Sequence, residues 1–408
     1  METQPGSHEL RRSLRLVPLI LYGLGTTIGA GIYALLGAVA GAAGMHAPVA
    51  FTVASVMAGF TAFSYAEISA RHPHSAGSAE YVRQAFRASW LPTVVGVMVI
   101  LAGTVSMAAI SKSFVGYLQG LVAVPEAAGV IGVVLLLGLV AAWGINESVA
   151  MAGVITLIEV AGLLLVIVSG GEQLAALPAR LGEVTPGLDL PAWNGVFAAS
   201  LLAFYAFLGF EDMVTVAEEV VDVRRVLPVA IISTLVLSSI LYLLLSLVAV
   251  LAVPPEELAA SRAPLVLVYE RTGGSHPELL SLIGMVALIN GALVQAIMAA
   301  RMLYGLARLG KLPSFLAAIH PKRRTPLVAT ALACAVALIL ALLFPLARLA
   351  EAASAVTLLT FALVNLALWM IKRREPAPPG IFTVAAWVPV AGFSLSLGFV
   401  VYRLQDAL

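Results

Sequence analysis

The chain is short of charge. Asp, Glu, Lys and Arg make up only 11% of its 408 residues, where soluble domains carry about 25%. Hydrophobic residues reach 61%, more than any folded interior can hide, so the surplus must face lipid. A net charge of +1 excludes a nucleic-acid partner held by bulk electrostatics. The single cysteine, Cys334, excludes an intrachain disulfide. No Walker motif is present, so nothing is powered by ATP bound at a P-loop, and no pattern calls for a cofactor. His72 and His74 form an H-x-H without further ligands, which argues against a metal site. The alternating segments of a membrane barrel are missing as well.

What is present is a series of continuous apolar runs. A membrane crossing needs roughly 20 such residues, and eleven stretches qualify: 16–42, 47–69, 92–120, 127–145, 149–170, 193–219, 227–252, 279–305, 326–344, 349–371 and 381–403. The first follows Arg11, Arg12 and Arg15 but is too long for a signal peptide. Seventeen of the 23 Lys and Arg fall on one side of the alternating connections, while Arg180, Arg262, Arg271, Arg348 and Arg403 fall on the other. This asymmetry puts the N-terminus in the cytoplasm and, with an odd number of spans, the C-terminus outside. The expectation is an all-α polytopic membrane protein. Residues 1–14 form a cytoplasmic tail, disordered over Met1–Glu9, and Ser78–Arg87 an interfacial helix. An external connection over 171–192 separates helices 1–5 (15–170) from helices 6–10 (193–373). Residues 374–408 add an eleventh helix.

Two spans carry helix-breaking chemistry. The first holds Gly23, Gly25, Gly29 and Gly31, each costing about 1 kcal/mol relative to alanine in a helix. Gly25 and Gly29 also form a GxxxG packing pattern, but four glycines beside Thr26 and Thr27 point to an unwound stretch. The amides exposed there would suit a carboxylate. The sixth span holds Phe204-Tyr205-Ala206-Phe207-Leu208-Gly209-Phe210-Glu211-Asp212. Acids within a span usually face the bundle interior; Glu211 is read as functional, and Glu218 and Glu219 as marking the span's end. Spans one and six lie five apart and run oppositely, as in a five-plus-five inverted repeat whose paired discontinuous helices form a substrate site.

Four patterns now resemble the amino acid–polyamine–organocation permeases: Gly25–Tyr33 (GTTIGAGIY); Glu67-Ile68-Ser69-Ala70-Arg71 with Pro73, Gly77 and Tyr81; Phe207–Asp212 (FLGFED) leading to Ala217-Glu218-Glu219; and Arg301–Arg308 (RMLYGLAR) with Gly310, Leu312 and Pro313, then Thr325-Pro326. The resemblance implies a LeuT-like fold, helices 1 and 6 discontinuous, and secondary transport of an amino acid or related amine across the cell membrane by alternating access. It implies no enzymatic activity. By carry-over, the backbone of Thr27, Ile28, Gly29, Ala30 and Gly31 holds the substrate carboxylate. Carbonyls around Phe204, Tyr205 and Leu208 receive the ammonium, and Tyr205 closes over the ligand.

The fifth span departs from the family. Many proton-coupled relatives place a lysine where this chain has Glu159. A carboxyl withdrawn from water favours its protonated form, so Glu159 could carry a coupling proton. The alternative is a static pair with Lys112, which could instead snorkel outward. Asn290, Gln295 and Asn365 either line the pathway or bond between helices. Proton coupling and substrate exchange both stay open, as do a polyamine carrier of the same fold and a passive channel. An intramembrane enzyme would need partners that Cys334 and Glu159 lack.

Overall fold

A computed structural model describes residues 14–73, 77–86, 88–143, 149–320, 323 and 325–406. Residues 1–13 of the expected tail, His74 and Arg87 lie outside the described residues. The chain forms fifteen α-helices among these residues: α1 (Leu16–Ala43), α2 (Ala47–Arg71), α3 (Gly77–Ala85), α4 (Leu91–Gln119), α5 (Glu126–Trp143), α6 (Val149–Ser169), α7 (Gly171–Val184), α8 (Leu190–Tyr205), α9 (Val223–Ala252), α10 (Pro255–Ala260), α11 (Pro264–Arg271), α12 (Pro277–Arg308), α13 (Leu327–Leu343), α14 (Leu346–Arg374) and α15 (Trp387–Asp406). A ten-residue 3₁₀ helix, Phe210–Glu219, follows α8. No β-strand forms among the described residues, and the lone bridge joins Leu14 to Val220.

Among the described residues, eight helical stretches are long and apolar enough to cross a membrane, and α13 and part of α15 are shorter apolar helices. Each of the eleven apolar stretches coincides with a helix where it is described. The last begins at Trp387 rather than 381 because the preceding backbone bonds outward: Val384 N donates to Glu67 Oε2 (2.7 Å) and Val384 O accepts Lys372 Nζ (2.7 Å).

The first span corrects an expectation. α1 is one unbroken α-helix from Leu16 to Ala43, ending at Gly44 in a positive-φ conformation. Its glycines are contact points. A Cβ at Gly25 would strike the Thr156 side chain, one at Gly29 would lie 3.2 Å from Ala287 O and 3.4 Å from Glu159 Oε1, and one at Gly31 would collide with the Ala206 backbone. Close approach on several faces at once absorbs all the glycines, and the intrahelical hydrogen bonds survive.

The sixth span behaves differently. α8 stops at Tyr205, and Ala206, Phe207 and Leu208 donate their amides three residues back, to Ala203, Phe204 and Tyr205 carbonyls. This is the tightening seen at helix ends. Gly209 then takes φ 120°, and a Cβ there would collide with the Thr26 carbonyl, so glycine is required twice over.

One end of the molecule is strongly basic, and a buried carboxylate organises it. Glu67, fully buried, accepts Arg71 Nε (2.9 Å), Arg71 Nη2 (2.7 Å) and Lys372 Nζ (2.8 and 2.7 Å) as well as the Val384 amide. A buried charge is tolerated only when so compensated. The result ties α2 to α14 and to the segment before α15. α3 docks on the same end through Tyr65, whose hydroxyl lies 2.6 Å from Ser78 Oγ.

Candidate functional site

The site grows from the break between α8 and the 3₁₀ helix. A helix end leaves carbonyls without intrahelical partners, and in lipid these must be satisfied within the protein. Tyr242 of α9 places its hydroxyl 2.9 Å from Ala206 O and 3.1 Å from Thr27 O. Thr26 Oγ1 donates to Gly209 O (3.1 Å), while Glu211 Oε2 accepts the Gly209 amide (2.8 Å). The turn is therefore held by α1, α9 and its own acidic residue.

Below the turn lies a cavity of about 180 Å³ between α3, α4, the 3₁₀ helix, α12 and α14. That is smaller than the ~300–1,000 Å³ of drug-sized sites and suits a small ligand. Its polar lining includes Ser78, Glu211, Asp212, Thr215, Gln295, Thr357 and Thr360, set among Leu208, Met298, Met302 and Phe361. Tyr205 donates its hydroxyl to Ser106 O (3.3 Å), bolting the end of α8 to α4 where Ser106 borders the cavity. Gly77, Ser78 and Ala79 of α3 close the basic end. Tyr81, one turn further along α3, is buried, and burial pushes its phenol above the ordinary range, so it stays neutral.

The expected binding residues are distributed unevenly around this cavity. Leu208 and Glu211 line it; Phe204 packs in an aromatic cluster with Phe361, and Tyr205 stands at its edge. The Phe204 and Tyr205 carbonyls are occupied by the Phe207 and Leu208 amides. Thr27, Ile28, Gly29 and Gly31 are buried within helical α1, outside the cavity wall. Thr27 Oγ1 has no hydrogen-bond partner among the described residues. Ala30 belongs to the same helix.

Glu159 is fully buried where α6 crosses α1. Its carboxylate faces Gly29 and takes a long hydrogen bond from Asn290 Nδ2 (3.4 Å), while its main-chain oxygen accepts Tyr33 Oη (2.8 Å). Asn290 borders a separate, apolar cavity of about 270 Å³ between α4, α6 and α12. Its Oδ1 is buried without a hydrogen-bond partner among the described residues. The pairing of Glu159 with Lys112 is not formed. Lys112 reaches Glu126 (2.7 Å) and Ala341 O (3.0 Å), closing the last turn of α13 at the end opposite the basic one. The flexible lysine stem carries its ammonium to these polar partners instead. Asn365 is a fastener between helices: Ser64 Oγ donates to its Oδ1 (2.6 Å), and its Nδ2 donates to Thr61 Oγ1 (2.9 Å).

Sequence reasoning assigned no role to Asp212, which is 7% exposed and part of the cavity wall. It also overlooked Tyr242, whose aromatic character gives no hint of a carbonyl-binding role, and the cavity-facing threonines of α14. Asp212 carried a usable signal, since it adjoins a glycine-broken apolar run.

Comparison with known proteins gives the same direction. The chain matches the amino acid permease family over residues 14–404. It is 32% identical over 400 residues to a vacuolar cationic amino acid transporter of Arabidopsis thaliana, covering 91% of this chain and 65% of that one. It is 28% identical over 412 residues to a branched-chain amino acid permease of Bacillus subtilis, covering 96% and 87%. A methylthioribose transporter of the same bacterium is 28% identical over 415 residues, again covering 96% and 87%. The chain thus spans less than two thirds of the plant relative. With its membrane-spanning helices, it is a multi-pass membrane protein that belongs to the amino acid permease family of the amino acid–polyamine–organocation superfamily.

Proposed function

We propose that the chain is a secondary transporter carrying an amino acid across the cell membrane by alternating access, through the cavity beneath the Ala206–Gly209 turn. The observation that carries this reading is the arrangement of that turn: an interrupted span pressed against α1, with two acids, a glutamine and a tyrosine bolt around a small cavity. The relatives named for cationic and branched-chain amino acids support the substrate class. The fold is a five-plus-five inverted repeat over 15–170 and 193–373, with the N-terminus in the cytoplasm.

In this conformation α1 packs directly on the turn at Gly31 and Thr26. Substrate entry separates these surfaces and lets the glycine-rich stretch open, so that amides of Thr27–Gly31 meet the carboxylate while the Glu211–Asp212 side faces the ammonium. Tyr205 closes the site by its contact with α4. Glu159 carries the coupling proton, exchanging it beside Asn290 as α1 moves. A passive channel fits poorly, because α1 packs directly on the turn bordering the cavity.

Proteoliposome uptake tests the reading with labelled lysine, leucine, a polyamine and methylthioribose. Saturable uptake of an amino acid with counterflow is expected. Linear, unsaturated flux would identify a channel, and selective flux of the polyamine or methylthioribose would move the substrate class.

A further inference from the structure

A second, larger cavity of about 890 Å³ opens at the basic end, between α3, the start of α4, and the ends of α12 and α14. It is built by the Arg301–Arg308 motif and the residues after it, for which the proposed transport cycle has no use. Its wall combines two chemistries. Phe86, Pro92, Leu306 and Leu309 are apolar, and Leu309 is left 73% exposed. Arg83, Lys311 and Arg374 add three exposed cations. Arg83 is neutralised by a two-point contact with Glu80, which leaves the excess positive charge on Lys311 and Arg374. Arg374 Nη1 donates to Ala85 O (2.6 Å), fixing that guanidinium against α3.

Gly305 gives an independent indication. It lies within α12, where glycine costs about 1 kcal/mol relative to alanine, yet a Cβ added there would meet no atom within 4 Å. It makes no turn and admits no neighbouring helix. The space over it belongs to the cavity, which it also lines.

We propose that this cavity binds an anionic phospholipid of the surrounding bilayer. An acyl chain lies over Gly305 against Leu306 and Leu309, and the headgroup phosphate meets Lys311 and Arg374. Basic pockets between membrane helices recognise lipid headgroups through this pairing of charge with apolar surface. Ala79 and Met302 line both this cavity and the smaller central one, so the bound lipid stiffens the wall between them.

Binding is tested apart from transport. Purified full-length protein, stripped of lipid in detergent, is titrated with phosphatidylglycerol, phosphatidylcholine or soluble glycerol phosphate. Occupancy is read by native mass spectrometry and thermal unfolding. The expected result is a stabilising one-to-one adduct with phosphatidylglycerol and none with the other two. Lys311→Gln weakens the adduct roughly fivefold, the effect of one basic side chain at an anionic surface. Gly305→Leu, which fills the space without altering charge, removes the adduct while the unfolding temperature without lipid is kept. Equal occupancy by both lipids, full stabilisation by glycerol phosphate alone, or an unchanged adduct in both variants would overturn the proposal.

Discussion

α1 and the sixth span cross each other at the centre of the molecule and treat glycine in opposite ways. α1 contains four glycines within nine residues and stays helical; the sixth span breaks with only Gly209 at the turn. What matters is what stands opposite each glycine. Along α1, a side chain or backbone group fills the space a Cβ would take at Gly25, Gly29 and Gly31, so packing recovers what glycine costs in helix propensity. At Gly209 the backbone has already left the helix; Glu211 accepts the amide released at the turn, and the Thr26 and Tyr242 hydroxyls donate to its carbonyls. Glycine permits a break; polar partners at the right height stabilise it.

The largest effect in this comparison belongs to Gly209→Leu. Strained backbone costs roughly 1–3 kcal/mol, and overpacking against the Thr26 carbonyl adds a similar amount. Uptake should vanish and the detergent-solubilised protein should unfold early or fail to accumulate. A variant with normal melting and uptake would show that the turn tolerates a side chain. Gly31→Val comes next, at about 1–3 kcal/mol from the clash with Ala206. Thermal unfolding checks it, and no loss would mean that α1 and the turn are not in register.

Tyr242→Phe leaves the Ala206 carbonyl buried without its hydroxyl partner and should cost about 1–3 kcal/mol. The same substitution at Tyr205 serves as control, because its bond to Ser106 O is longer. Glu159→Gln keeps an acceptor for Asn290 and should leave the melting temperature within a degree or two, about the shift that a few tenths of a kcal/mol produces. Uptake driven by an imposed pH gradient should fall to the level at equal pH, with counterflow retained; persistent pH-driven uptake would move the coupling group elsewhere. Gly132→Ala, at an exposed glycine of α5 with open space around it, is expected to be the mildest. The gain is at most about 1 kcal/mol of helix propensity, and a marked loss would mean that another surface covers that face.

Much of the architecture was legible without coordinates. Long apolar runs marked the helices because hydropathy accumulates along the chain and needs no knowledge of neighbours. The FLGFED segment marked the break in the sixth span and the acids that border a cavity, because acids beside glycine and aromatics stand out in an apolar run. The glycines of α1 were ambiguous in principle, since GxxxG packing and an unwound stretch share one composition. Asn290 and Asn365 look alike in sequence, yet one adjoins Glu159 and the other fastens α14 to α2.

The sequence by itself determined a helical membrane protein, the position of its apolar segments and the family to which it belongs, all properties that add up residue by residue. Only the tertiary structure decided which helix stays whole, that Lys112 reaches Glu126 rather than Glu159, and that Tyr242 holds the turn. Those outcomes depend on which groups lie within about 3 Å of one another across helices far apart in the chain, where the strength of a hydrogen bond is set by geometry.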